Sequence, residues 1–171
     1  MQDLGMPNAL FEVAIENTEL SETGLDKVEF LISTNPGEPL RPLAKVASGG
    51  EMSRIMLAIK CVMAETDSIP TLIFDEIDVG VGGRTAEVVA RKLDSLAKNA
   101  QVLCITHLPQ IASCPGSHFC IEKHVSGGRT VVRVRRLNEA QRVEELARML
   151  GGSSPSETAI RHAKEMLGVV G

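Results

Sequence analysis

The sequence predicts an α/β fold in which a mostly parallel sheet is flanked by helices and accompanied by a β-hairpin. Three observations carry that expectation. Thr71-Leu72-Ile73-Phe74 is a short apolar run that ends in two adjacent carboxylates, Asp75 and Glu76. Val102-Leu103-Cys104-Ile105 is a second apolar run, ending in Thr106 and His107. Around them, apolar residues recur at helical spacing: Met52, Ile55, Met56, Ile59, Val62 and Met63 before the first run, and Val89, Leu93 and Leu96 after it. In open α/β sheets the ligand crevice lies beyond the carboxyl ends of the strands, so Asp75, Glu76 and His107 fall where chemistry is usually done.

The remaining elements follow from local pattern. Phe11, Val13 and Ile15 alternate with polar residues, as do Val28, Phe30 and Ile32 after the turn signal Ser21 to Gly24, which predicts two strands and a hairpin. Asn35-Pro36-Gly37 and Pro39 to Pro42 mark a loop. Gly80, Gly82 and Gly83 form a flexible link into the helix that carries Val89. His118 to Lys123 and Thr130 to Leu137 flank Ser126-Gly127-Gly128 as a β-hairpin. Two helices finish the chain. Asn138 with Gln141 caps the first, which carries Val143, Leu146, Ala147 and Leu150 and stops near Gly151; Ser154, Pro155 and Glu157 begin the second, and Gly168 ends it. There is no internal repeat or linker, and a single domain over residues 1–171 is expected.

Each motif admits a structural and a chemical reading. Ser48-Gly49-Gly50-Glu51 stands at the start of a helix, where unpaired N–H groups and the helix dipole suit phosphate oxygens and glycine permits close approach. The same Ser-x-x-Glu spacing is a capping box that needs no ligand. An acid pair after a strand holds a metal and a water in a nucleotide hydrolase, yet Asp or Glu there also caps turns. A histidine after a strand is a catalytic group or a plain surface or capping residue.

Composition narrows the class. With 43% hydrophobic residues the chain is not disordered, and no apolar run approaches the ~20 residues of a membrane span. No secretory leader opens it, so a cytoplasmic protein with no membrane partner is expected. The four cysteines, Cys61, Cys104, Cys114 and Cys120, contain no Cys-x-x-Cys pair, and neither zinc nor a disulfide is expected. The net charge of −4 lacks the basic footprint of an autonomous DNA-binding domain. Arg129, Arg133, Arg135, Arg136 and Arg142 nevertheless cluster, either to touch DNA phosphates or as a solvated strand face. No Trp or Tyr is present to stack on bases.

Taken together, the segments Pro42 to Glu51, Phe74 to Gly80 and Ile105 to Ala112 resemble the C-terminal lobe of an ABC-type ATPase head of the SMC-like kind that serves bacterial DNA repair. The resemblance runs through most of the chain. It implies that Ser48, Gly49, Gly50 and Glu51 form the signature that binds ATP held by an opposing head. It implies that Asp75 is the Walker B aspartate, holding Mg²⁺ mainly through water, and that Glu76 polarises the attacking water. Asp78 then falls in the D-loop, and His107 matches the switch histidine that senses the γ-phosphate. Ala47 stands where transporters of the superfamily usually have leucine, which weakens a transporter reading. Missing is Gly-x-x-x-x-Gly-Lys-Ser/Thr, the loop that cradles phosphates. The resemblance places that loop in an N-terminal lobe joined through a coiled coil, and it implies ATP and Mg²⁺ as cofactors. It further implies an ATP-dependent head homodimer, DNA as partner of the complete protein, and a role in recombination, the SOS response and DNA damage at the nucleoid. An independent phosphohydrolase using Asp75, Glu76 and Asp78, or a non-catalytic docking module, are the other readings.

Overall fold

Strand pairing in this chain follows the alternation of its sequence closely. The computed structural model describes residues 1–171 except Ala47, Glu65, Asp67, Gly127, Val170 and Gly171, together with all side chains but that of Ser126. The comparison of Ala47 with transporters and the turn residue Gly127 therefore lie outside the described residues. Contacts divide the chain into two compact units, one formed by 1–81 and 96–105, the other by 82–95 and 106–171.

In the first unit, β1 (Leu10–Ser21) and β2 (Gly24–Ser33) form an antiparallel hairpin closed by Ser21 opposite Gly24. Phe11 faces Ile32, Val13 faces Phe30 and Ile15 faces Val28, so these six share one face, with the Phe11 and Phe30 rings 5.6 Å apart. That face is largely bare: Ile15 is 65% and Val28 55% exposed. Where a loop is expected from the sequence, Arg41–Pro42 adds a short third strand, β3, on β2. Proline lacks an N–H, and an edge position tolerates that loss.

The parallel part is β4 (Thr71–Phe74) beside β5 (Gln101–Cys104), in register from Thr71 opposite Gln101 to Phe74 opposite Cys104. Helix α1 (Gly49–Val62) precedes β4, and α2 (Gly83–Leu96) lies between the two strands in sequence. The run Leu72 to Phe74 reads as a buried strand, but only Phe74 is buried; Ile73 is 69% exposed. Parallel strands normally have both faces covered, and two strands alone do not provide that. Helix α1 departs similarly from its apolar pattern. Its buried residues are Gly50, Arg54, Ile55 and Leu57, whereas Val62 is 88% exposed. The buried residues lie in its first two turns, and in the last turn Ile59, Lys60 and Cys61 are half-buried while Val62 is exposed.

The second unit holds most of α2, the short α3 (Pro109–Ala112), the antiparallel hairpin β6 (Phe119–Ser126) and β7 (Arg129–Arg136), α4 (Glu139–Gly151) and α5 (Glu157–Leu167). Val89, Leu93 and Leu96 of α2 are all buried. A core of Ala112, Val143, Leu146, Ala147 and Ala163 joins α3, α4 and α5. Helix α4 begins with a complete capping box: Asn138 accepts from Gln141 N–H at 2.9 Å, and Gln141 accepts from Asn138 N–H at 3.0 Å. Ser156, rather than Ser154, caps α5, and Gly168 ends it with a left-handed φ of 68°.

Candidate functional site

The first unit brings Ser48, Gly49, Gly50, Glu51, Asp75, Glu76 and Asp78 into one place, because the start of α1 packs against the loop that follows β4. Ser48 Oγ accepts from Glu51 N–H at 3.3 Å, forming one half of the expected capping box. Gly49 lies so close to the Glu76 carboxylate that a Cβ would collide with Oε2. Gly50 lies against backbone: a Cβ there would stand 2.9 Å from the Val79 carbonyl oxygen and 3.0 Å from that of Glu76. Close approach to backbone thus requires glycine at position 50 independently of any ligand, whereas at position 49 only the flexible end of the Glu76 side chain stands in the way.

Two further residues of α1 hold the same loop. Ser53 Oγ donates to the Asp75 carbonyl at 2.6 Å. Arg54 Nη1 donates to the Val79 carbonyl at 2.7 Å and lies 3.4 Å from that of Ile77. The Arg54 side chain is only 5% exposed, and burial holds its pKa below the usual guanidinium range against the opposing charge of Glu51. Neither residue stands out in the sequence. The signal that finds Arg54 is its place between Gly50 and Leu57, the i, i+4, i+7 stripe that the helix buries.

Strand β4 delivers the acids. Asp75 Oδ1 accepts from Glu76 N–H at 2.8 Å, and both side chains are exposed. Glu76 is the only non-glycine residue at positive φ among the described residues, at 56°. A left-handed glutamate is uncommon, and such strain tends to persist at functional loops. Asp78, by contrast, is 3% exposed. Burial, then the charges of Asp78 and Asp75, pushes the Cys104 thiol at the end of β5 up to about 12. No group of three or more His, Cys, Asp or Glu side chains suited to a metal exists among the described residues. One exposed carboxylate with an oxygen already engaged fits Mg²⁺ held through water and shared with phosphates, and does not form a cage by itself.

His107 belongs to the second unit, exposed in the turn between β5 and α3, where Thr106 Oγ1 accepts from Leu108 N–H at 3.0 Å. Arg129, Arg133 and Arg135 share one exposed face of β7, with Arg135 3.6 Å from Glu122. Arg142 leaves this cluster. Its Nη2 donates to the carbonyls of Ser113 at 3.0 Å and Pro115 at 2.7 Å, bracing the segment after α3.

No family model matches the chain. It is 47% identical over 169 residues to the DNA repair protein RecN of Vibrio cholerae, covering 98% of this chain and 30% of that protein. It is 49% identical over 149 residues to RecN of Bacillus subtilis, covering 87% of this chain and 26% of that protein. The chain thus spans about three tenths of the length of these relatives. Among solved structures, an SMC head domain with coiled coil and joint from Pyrococcus yayanosii matches 96% of this chain and 27% of its own, with TM-score 0.57 and 20% identity. A chain from work on ATP-driven dimerization and DNA-stimulated activation of SMC ATPases matches 90% of this chain and 88% of its own, with TM-score 0.52 and 19% identity. At such identities the likeness carries the fold, which is that of an SMC ATPase head. Over the region it spans, the chain matches the C-terminal part of the DNA repair protein RecN.

Proposed function

We propose that this chain is the C-terminal half of an SMC-like ATPase head acting in DNA double-strand break repair and recombination. An N-terminal lobe supplies the phosphate loop, and a second head brings the nucleotide that Ser48, Gly49 and Gly50 contact in trans. The observation that carries this reading is the direct packing of the glycine-rich start of α1 on the loop bearing Asp75 and Glu76. A helix N-terminus suited to phosphate and a water-activating acid are thereby coupled in one unit.

Asp75 would hold Mg²⁺ through water, and Mg²⁺ when bound would offset the negative charge that develops on the phosphates. Glu76 accepts a hydrogen bond from the attacking water and draws its proton toward the carboxylate. Asp78, buried, shapes the loop rather than meeting ligand. His107 donates to the γ-phosphate in the complete head. An independent phosphohydrolase is less well supported, since the third acid it needs, Asp78, is buried. No helix among the described residues is long and apolar enough to cross a membrane. A cytoplasmic, nucleoid-associated protein that meets DNA through its complete form is part of the same reading.

The test compares nucleotide binding and hydrolysis by this chain alone and together with the N-terminal lobe. The expected result is no hydrolysis above background alone and Mg-dependent hydrolysis when both lobes are present. Magnesium-dependent hydrolysis by the chain alone, abolished by Glu76→Ala, would favour the phosphohydrolase instead.

A further inference from the structure

We propose that Arg54 is a positioning residue that ties the signature helix to the loop carrying Glu76, so that phosphate engagement at the start of α1 and placement of the catalytic acid occur as one event. This rests on the ATPase reading above and goes beyond it, because Arg54 belongs to none of the motifs that touch nucleotide.

A buried cation is costly unless its donors are satisfied. Arg54 is buried, and its Nη1 donates to the backbone of Val79 at 2.7 Å and reaches that of Ile77 at 3.4 Å. Those two carbonyls flank buried Asp78 and follow left-handed Glu76, in a stretch where a sheet ladder cannot satisfy them. Ser53, the preceding residue of α1, holds the Asp75 carbonyl at 2.6 Å. The helix thus reaches the loop on both sides of Glu76, and Gly50 permits the close approach. Arg54 Nε is buried without a partner, a cost that an apolar filler at this position would not carry. With these bonds in place, α1 and the segment from Asp75 to Val79 move together. A shift of the helix N-terminus on meeting phosphate is therefore transmitted to the Glu76 carboxylate.

The experiment uses the full-length protein with Arg54→Met, which keeps the length of the stem but removes the donors, and Arg54→Lys, which keeps one charged donor. Three quantities are read: Mg-ATP affinity, kcat for hydrolysis, and ATP-dependent head pairing in a Glu76→Gln background. For Arg54→Met, affinity is expected within about twofold of the parent, kcat lowered about tenfold or more, and head pairing weakened. Arg54→Lys is expected to recover part of the lost kcat. Should Arg54→Met fail to fold, Arg54→Lys carries the test: lowered kcat at parental affinity and melting temperature supports coupling. Parental kcat in the folded Met variant, or in the Lys variant where only that folds, overturns the proposal, as does a loss of kcat matched by loss of affinity or melting temperature. Absence of hydrolysis by the parent, or full hydrolysis by Glu76→Gln alone, sinks the ATPase reading rather than the role of Arg54.

Discussion

At the scale of single residues, Gly49 and Gly50 at the start of α1 carry different constraints, and alanine separates them. A methyl at Gly49 meets the end of a flexible side chain, the Glu76 carboxylate, which can swing away. A methyl at Gly50 meets the backbone of Val79 and Glu76, which must shift as a loop. Gly49→Ala in the full-length protein is therefore expected to leave the melting temperature nearly unchanged while lowering hydrolysis. Gly50→Ala is expected to cost about 1–3 kcal/mol in stability as well, the usual range for overpacking. Thermal melts alongside ATPase rates check both, and equal melting losses in the two variants would contradict this distinction. The residue types and spacing of Ser48 to Glu51 and of Asp75 to Asp78 are legible in the sequence because close approach and strand ends demand them. Arg54 and Ser53 are not, because their partners are backbone carbonyls more than twenty residues away, and a carbonyl has no sequence signature.

At the scale of elements, local chemistry decided most boundaries. Asn138 and Gln141 declare the start of α4, Gly168 the end of α5, and alternation the β1–β2 register. Less legible were elements set by neighbours: β3 forms because β2 offers it an edge, and the exposure of Val62 at the end of α1 reflects full burial confined to the earlier turns of that helix. His118, just before β6, makes one element-scale prediction. Burial, then the charge of Arg142, holds its pKa below 6.5, opposed by Glu145. The folded state then binds fewer protons than the unfolded chain below that pH. Stability is complete above pH 6.5 and declines as pH falls through that value toward the folded pKa, before Glu145, held below its usual 4.5 by its bond to Arg148, begins to contribute. His118→Gln is expected to flatten the melting profile between pH 6.5 and 4.5. An unchanged slope in that variant would show that His118 is not the titrating group.

For the whole molecule, the apolar face of β1–β2 and the uncovered strands β4 and β5 leave much hydrophobic surface in solvent, including Ile15, Val28, Ile73 and Leu103. Large bare apolar faces and unpaired edges promote association. The chain alone is expected to self-associate with rising concentration, and to do so less when the N-terminal lobe is co-expressed. Sedimentation velocity across a concentration series checks this; a monomer at all concentrations that ignores the lobe would count against the half-head reading. The apolar runs of β4 and β5 read in the sequence as more deeply buried than they are, because a sheet of two strands gives Ile73 and Leu103 little cover. The central claim is that Asp75 and Glu76 divide the labour of hydrolysis, one serving the metal and the other the water. Single-turnover hydrolysis by the full-length protein carrying Glu76→Gln, with Asp75→Asn beside it, tests that most directly. Glu76→Gln should bind Mg-ATP normally, hydrolyse it at least about a hundredfold more slowly and accumulate as paired heads, whereas Asp75→Asn should lose Mg-dependent binding itself. Hydrolysis by Glu76→Gln at the parental single-turnover rate would contradict the account.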